Sequence, residues 1–221
     1  MTADESASRR IAVFGASGRT GLPLVERALD HGHTVVAFVR DAERLPLSPA
    51  DYDDRLVVIE GDAYTGEGVS AAVAGADAVV STLGQTDGSP DDLLTVAGDH
   101  VLDAMADHEV DRFVTLVGAG VREDGESVSM TGRVMGGLLK LVAREVLADA
   151  AEHVARVKQS DTRWTVVRAP RLVDGEGAGD YAAGDVSLGF EAVARADVAR
   201  FLLDCVEDDL YVHDAPKVGP A

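Results

Sequence analysis

Cysteine is almost absent from this 221-residue chain. Cys205 is the only one, so no intrachain disulfide can form and the fold must be held by its core. Lysine is nearly as scarce, at Lys140, Lys158 and Lys217. No apolar run approaches the roughly 20 residues that a membrane-crossing helix needs. The segment from Met1 to Arg10 is polar and lacks the apolar core of a secretory signal. His31, His33, His100, His108 and His213 fall at no spacing that joins them to cysteine or to clustered acids, so no metal site is expected. These absences together favour the cytoplasm.

What is abundant is negative charge. Asp and Glu number 39 against 20 Lys and Arg, for a formal net charge of −19. Such a chain repels nucleic acid and anionic membranes, which leaves a small molecule as the expected partner, bound by a monomer or homodimer. The acids are scattered along the chain rather than clustered. That pattern suits a solvated acidic coat better than an acidic docking surface. It fits a halophilic, acidic proteome, because molar salt shortens the range of self-repulsion to about 3 Å.

The chain is organised around Ile11-Ala12-Val13-Phe14-Gly15-Ala16-Ser17-Gly18-Arg19-Thr20-Gly21. An apolar run enters three glycines spaced three apart, and an amphipathic helix follows from Leu22. Glycines let the backbone turn sharply and approach a ligand without Cβ atoms in the way. The free N–H groups opening the helix then face that ligand, with the positive end of the macrodipole behind them. A pyrophosphate suits such a place. The spacing G-x-x-G-x-x-G is a variant of the G-x-G-x-x-G dinucleotide fingerprint.

Further strands are expected at Thr34–Val39, Arg55–Ile59, Ala76–Gly84 with its exit loop, Arg112–Val117 and Trp164–Arg168. Helices are expected near Gly68–Ala74, Pro90–Asp107 and Thr131–His153, the last continuing toward Gln159. Asp197 reads as the N-cap of a last helix, Val198–Val206, and Leu210–Val212 as a final edge strand. Alternating strands and helices of these lengths predict an α/β fold: a single doubly wound parallel sheet of the Rossmann type, helices on both faces, over residues 1–221. A polar stretch beginning at Val121 and the helix after it form either a flap over the sheet edge, about 121–147, or ordinary packing. Residues 170–221 form the substrate side.

Ligands in such sheets sit at the carboxyl ends of the strands. An acid about 20 residues beyond the glycine loop marks NAD. Here Arg40 stands there, with Arg44 four residues on and Arg19 in the loop, which favours a 2′-phosphate and hence NADP. Asp41 is an alternative partner for the ribose hydroxyls. Asp62 either accepts from the adenine amine or caps the following helix.

The glycine loop, Val39-Arg40-Asp41 with Arg44-Leu45-Pro46, Gly61-Asp62, Leu83-Gly84 and Arg168-Ala169-Pro170 together resemble the atypical short-chain dehydrogenase/reductase group. Within it, the pattern is most similar to the biliverdin-IXβ reductase/flavin reductase family and its NAD(P)H-binding and NmrA-like relatives. The resemblance implies that Gly15, Ser17, Gly18, Arg19, Thr20 and Gly21 hold the phosphates. It implies Arg40 and Arg44 for the 2′-phosphate, Asp62 and Ala63 for adenine, and Leu83 and Gly84 as walls of the site. Ala16 in the glycine loop and Val117 and Gly118 at the end of the fifth expected strand are further expected cofactor-binding residues. The chain departs from the flavin reductase pattern, which has a hydroxyl residue where Gly118 aligns and a histidine near Arg171.

Other short-chain dehydrogenases use Tyr-x-x-x-Lys as a proton-donor pair. Tyr52, Tyr64, Tyr181 and Tyr211 are followed four residues later by Leu56, Gly68, Asp185 and Ala215, so the pair is missing. Reduction of an unactivated ketone then lacks its general acid, whereas flavins, quinones and other conjugated acceptors need less help. The expected activity is NADPH-dependent reduction of such an acceptor; an NmrA-like sensor that binds NADP without turnover is the alternative. Arg171, Tyr181 and His153 are the remaining candidates for a catalytic group, each with an ordinary structural reading beside it. Ser127, Ser129 and Thr131 are weaker ones.

The acidic coat carries a prediction. The thermal unfolding midpoint should hold or rise between 0.1 M and 2 M KCl, as followed by circular dichroism. A midpoint that falls steadily with salt would refute the reading of the coat as an adaptation to salt.

Overall fold

The computed structural model of the chain describes residues 8–121, 144–186, 188 and 191–221. The apolar runs become parallel strands: β1 (Arg10–Phe14), β2 (Thr34–Val39), β3 (Leu56–Glu60), β4 (Ala78–Ser81), β5 (Arg112–Gly118) and β6 (Arg163–Ala169). They lie in the order β3-β2-β1-β4-β5-β6. Among the described residues four α-helices fall between them: α1 (Gly21–Asp30), α2 (Val69–Val73), α3 (Leu93–Asp107) and α4 (Arg144–Gln159). A fifth helix, α5 (Arg195–Glu207), comes later in the chain. The strands are near-continuous hydrophobic runs because both faces of the sheet are covered.

Side-chain alternation on β1 divides the core. Ile11 and Val13 join Leu24, Val25 and Ala28 of α1 and Phe201 and Leu202 of α5 on one face. Ala12 and Phe14 join Val69 and Ala72 of α2, Val101 and Met105 of α3, and Val154 and Val157 of α4 on the other. The end of α1 is clasped to the end of α5 by one carboxylate oxygen, Glu207 Oε1, 2.9 Å from His31 Nδ1 and 2.7 Å from His33 Nε2. The start of α3 is capped from a distance. Asp149 of α4, buried, accepts from the amides of Leu94 and Thr95, each at 2.9 Å.

Beyond β6 the sequence expectations need correction. The helix read from Asp197 begins earlier, at Arg195, with Ala194 at its N-cap. Asp197 is buried, and its carboxylate accepts instead from the amides of Ala178 and Gly179, both at 3.0 Å. Those loop amides take the side chain away from the helix end. Leu210–Val212 is a turn, not an edge strand. Asp209, Tyr211 and His213 have φ of 52°, 54° and 59°, and a left-handed residue at every second position is incompatible with an extended chain. Arg112 holds this turn in place. Its buried guanidinium donates to the carbonyls of Arg163 and Cys205, both at 2.6 Å, and of Leu210 at 3.2 Å. Burial lowers its pKa, opposed chiefly by the neighbouring Cys205 and Asp209.

The last strand is β10 (Lys217–Pro220), which enters the sheet between β6 and β8 (Tyr181–Gly184) and runs antiparallel to the latter. A separate parallel pair is formed by β7 (Arg171–Val173) and β9 (Ala192–Ala194). The expected helix over Thr131–His153 is described from Arg144 onward. Most of the expected flap, with Ser127, Ser129 and Thr131, lies outside the described residues.

His153 lies inside the second core face. It is 2% exposed, its Nε2 is 3.0 Å from Thr115 Oγ1, and its ring meets Phe113 edge-on. Gly98 of α3 leaves room for it, since a Cβ there would overlap Nδ1. Burial lowers the His153 pKa to about 4, against the opposing pull of Asp149. The folded protein therefore keeps a neutral imidazole where the unfolded chain gains a proton near pH 6.5. His153 has no effect on pH dependence above about 6.5 and costs stability progressively from there down to about 4, by roughly 3 kcal/mol in all. His153→Gln should flatten the decline in urea-unfolding free energy between pH 6.5 and 4.5. An equally steep decline in the variant would show that His153 is not its source.

Candidate coenzyme site

The strand order reverses at β1, whose neighbours β2 and β4 lead away in opposite directions. At such a switch point the loops after the two central strands part and leave a crevice. Here those loops are Gly15–Thr20, after β1, and the segment from Thr82 onward, after β4.

The first loop is folded by its glycines. Gly15 has φ +80°, and a Cβ on it would lie 2.9 Å from Thr82 Oγ1. A Cβ on Gly18 would lie 3.0 Å from the Gly15 carbonyl, and one on Gly21 would overlap that carbonyl outright. The loop closes with Gly18 N–H donating to the Gly15 carbonyl at 2.9 Å. The start of α1 is left open. Thr20 makes no capping hydrogen bond, and no acidic residue stands in the first turn. The amides of Ser17, Arg19 and Thr20 find no acceptor among the described residues. Unsatisfied N–H groups at a helix start, with the dipole behind them, suit an anion.

Thr82, which the sequence did not single out, braces this cradle. Its hydroxyl lies 3.0 Å from the Phe14 carbonyl and 3.3 Å from that of Gly15, and its amide donates to Phe14 at 3.0 Å. A hydroxyl residue one step past β4, beside the glycine turn, was the available signal.

Arg40, directly after β2, and Arg44 are both exposed and have no ion-pair partner among the described residues. Asp41 is occupied: its Oδ1 accepts from Glu43 N–H at 3.0 Å and opens a short turn. Asp62, half-buried, uses Oδ1 to accept from Tyr64 N–H at 2.8 Å, and Oδ2 has no partner among the described residues. Ala63 is buried, and its carbonyl is 3.0 Å from His100 Nδ1. Leu83 packs on the second core face, while Gly84 beside it is open. Val117 is buried and Gly118 exposed at the end of β5, opposite Arg168 and Ala169 of β6. Thus Gly15, Ala16, Ser17, Gly18, Arg19, Thr20, Gly21, Arg40, Arg44, Asp62, Ala63, Leu83, Gly84, Val117 and Gly118 all lie on or beside the carboxyl edge.

The catalytic candidates fare differently. His153 is sealed in the core. Tyr181 turns away: its hydroxyl donates to Asp204 Oδ2 at 2.7 Å and its ring packs on Phe201. Burial, then that carboxylate, hold the phenol well above its usual pKa. It anchors β8 to α5. Arg171 is exposed at the start of β7, with no ion-pair partner among the described residues.

A family model described as NAD(P)H-binding matches residues 15–209. The chain belongs to this NAD(P)H-binding family. An uncharacterized protein, YwnB of Bacillus subtilis, is 26% identical over 209 residues, 90% of this chain and 92% of that one. A 3-beta-hydroxysteroid dehydrogenase of Mycolicibacterium neoaurum is 40% identical over 73 residues, 33% of this chain, but the match spans only 19% of that protein's length. Among solved structures, a short-chain dehydrogenase/reductase of Veillonella parvula in complex with NADP superposes with TM-score 0.78 at 17% identity, covering 96% of this chain and 95% of that one. ChuY, an anaerobillin reductase of Escherichia coli O157:H7, gives 0.75 at 21% identity, covering 95% and 96%. The fold is shared with both of these structures, and the resemblance to an NAD(P)H-binding group read from the sequence stands.

The residues present fit the family's nicotinamide dinucleotide. The uncapped helix start, with the amides of Ser17, Arg19 and Thr20 left without an acceptor among the described residues, suits a diphosphate. Among the described residues there is no helix long and apolar enough to cross a membrane and no group of three or more metal-ligating side chains placed to hold an ion.

Gly21→Ala forces a methyl group into the Gly15 carbonyl. It should destabilise the fold by about 1–3 kcal/mol, as overpacking does, and weaken coenzyme binding more than that loss explains. Urea titration and NADPH fluorescence check both. Unchanged NADPH affinity in a folded variant would remove the cradle from the coenzyme site.

Proposed function

We propose that the protein is an NADP-dependent reductase that delivers hydride to a flavin, a quinone or a similar conjugated acceptor. One observation carries the choice of coenzyme. In a chain with 39 acids against 20 Lys and Arg, Arg40 and Arg44 stand unpaired among the described residues, beside the uncapped start of α1. A guanidinium beyond β2 suits a 2′-phosphate, with which it pairs bidentately, and an acid there would repel it.

The loop amides from Gly15 to Gly21, with the α1 dipole, hold the diphosphate. Arg40 and Arg44 hold the 2′-phosphate. The free Oδ2 of Asp62 accepts from the adenine amine, with Ala63 beside it. Leu83, Gly84, Val117 and Gly118 bound the site where β4 and β5 end. When bound, NADPH supplies the hydride. The protein's own contribution is orientation: it fixes which face of the coenzyme meets the acceptor. None of the described tyrosines is part of a Tyr-x-x-x-Lys pair, Tyr181 is committed to Asp204, and His153 is sealed away. An acceptor that spreads charge over a conjugated system and takes its proton from water therefore suits this site better than a ketone.

The same lack of a placed tyrosine or histidine donor among the described residues favours one second reading, an NmrA-like sensor that binds NADP without turnover. NADPH oxidation measured with flavin, quinone and dye acceptors separates the two: turnover supports the reductase, and tight binding without turnover supports the sensor. Arg40→Ala removes a charged pairing of about 1.5–3 kcal/mol. It should weaken NADPH binding roughly 10- to 100-fold while leaving NADH binding within about twofold. Equal losses for the two coenzymes would overturn the assignment of NADP.

A further inference from the structure

Asp174 follows β7 directly and stands between two arginines from distant parts of the chain. Arg195 Nη1 donates to its Oδ1 at 2.6 Å, and Arg19 Nη1, from the glycine loop, lies 3.7 Å from its Oδ2. The first contact is fixed by the backbone. Val173 of β7 pairs with Ala194 of β9, so the residues that follow the two strands, Asp174 and Arg195, leave the pair side by side. The Arg195 side chain is only 12% exposed. An arginine opening a helix faces the positive end of its dipole, and a paired carboxylate offsets that cost.

The second contact is of another kind. Both partners are largely exposed, at 73% and 68%, so the pair is screened and weak by itself. At 3.7 Å it also leaves the donors of Arg19 uncommitted. A guanidinium has five N–H donors spread around a plane, so one edge can serve a carboxylate while another serves a phosphate.

We propose that Asp174, held by Arg195, is a positioning residue that keeps the Arg19 guanidinium over the coenzyme's diphosphate, strapping the β7–α5 junction to the glycine loop. This rests on the reading of that loop as the diphosphate site. The Arg19–Asp174–Arg195 array carries one net positive charge, and Arg19 separates the carboxylate from the phosphates. The strap strengthens only when an anion completes it. Its energy therefore appears in the bound state and chiefly slows release.

The test compares Asp174→Ala, Asp174→Glu, Arg19→Ala and the Asp174→Ala/Arg19→Ala double variant, using NADPH and 2′-phosphoadenosine, which has no diphosphate. Asp174→Ala should raise the NADPH dissociation rate about 5- to 20-fold and leave 2′-phosphoadenosine affinity within about twofold, with Asp174→Glu restoring most of the loss. In the Arg19→Ala background the Asp174 substitution should have no further effect on NADPH. Coupling of this kind would be absent if Asp174 merely tied β7 to α5. Tighter NADPH binding by Asp174→Ala would make Asp174 a competitor of the phosphates and overturn the proposal. So would additive losses in the double variant. A wild-type protein that binds NADPH with the same release rate as Asp174→Ala overturns the strap alone. A wild-type protein that does not bind NADPH overturns the coenzyme reading with it.

Discussion

The first turn of α1 passes so close to the Gly15 carbonyl that Gly21 has no room for a side chain, and Thr82 crowds Gly15 itself in the same way. That approach fixes where the free amides point, and the coenzyme side of the molecule depends on it. Thr82 ties the same carbonyls to the end of β4, so the cradle is braced from the far side of the switch point. Leaving Thr20 uncapped and the first turn free of acids gives up about 1 kcal/mol that a good cap supplies. An anion recovers it on binding.

Charge is used sparingly in the same way. The acidic surplus makes any uncompensated cation conspicuous, and Arg40 and Arg44 flank the crevice that begins at Gly15. Several other arginines are absorbed by structure. Arg112 satisfies carbonyls from β6, α5 and the turn after it, and Arg195 is spent on Asp174. A guanidinium suits both tasks because its donors are numerous, planar and permanently charged.

The central strands were legible because burial on both faces makes them uniform apolar runs. The glycine loop and Arg40 were legible because they lie next to those runs. Legibility failed where long-range contacts outweigh local preference. Leu210–Val212 is apolar and β-prone, yet Arg112 and three left-handed residues beside and within it impose a turn. The strand β10 contains glycine and proline and is defined only by its neighbours. Asp197 has the right chemistry for a cap, but Ala178 and Gly179 claim it. Asp174 and Arg195 meet only through the register of two three-residue strands, a pairing that hydrophobic periodicity does not announce. Thr82 is one hydroxyl among many until the strand order places it beside Gly15.

The lone sulfur gives the fold an internal clock. Cys205 lies on α5, fully buried against the sheet, and burial pushes its thiol up to about 12, with Arg112 pulling the other way. Thiolate is the reactive form, so burial and protonation together should slow the reaction of the intact molecule with alkylating dyes near neutral pH. Since no second sulfhydryl exists in the sequence, any modification records α5 lifting from the sheet. Its rate, followed with and without a bound ligand, counts how often the half of the molecule anchored by Arg112 comes open.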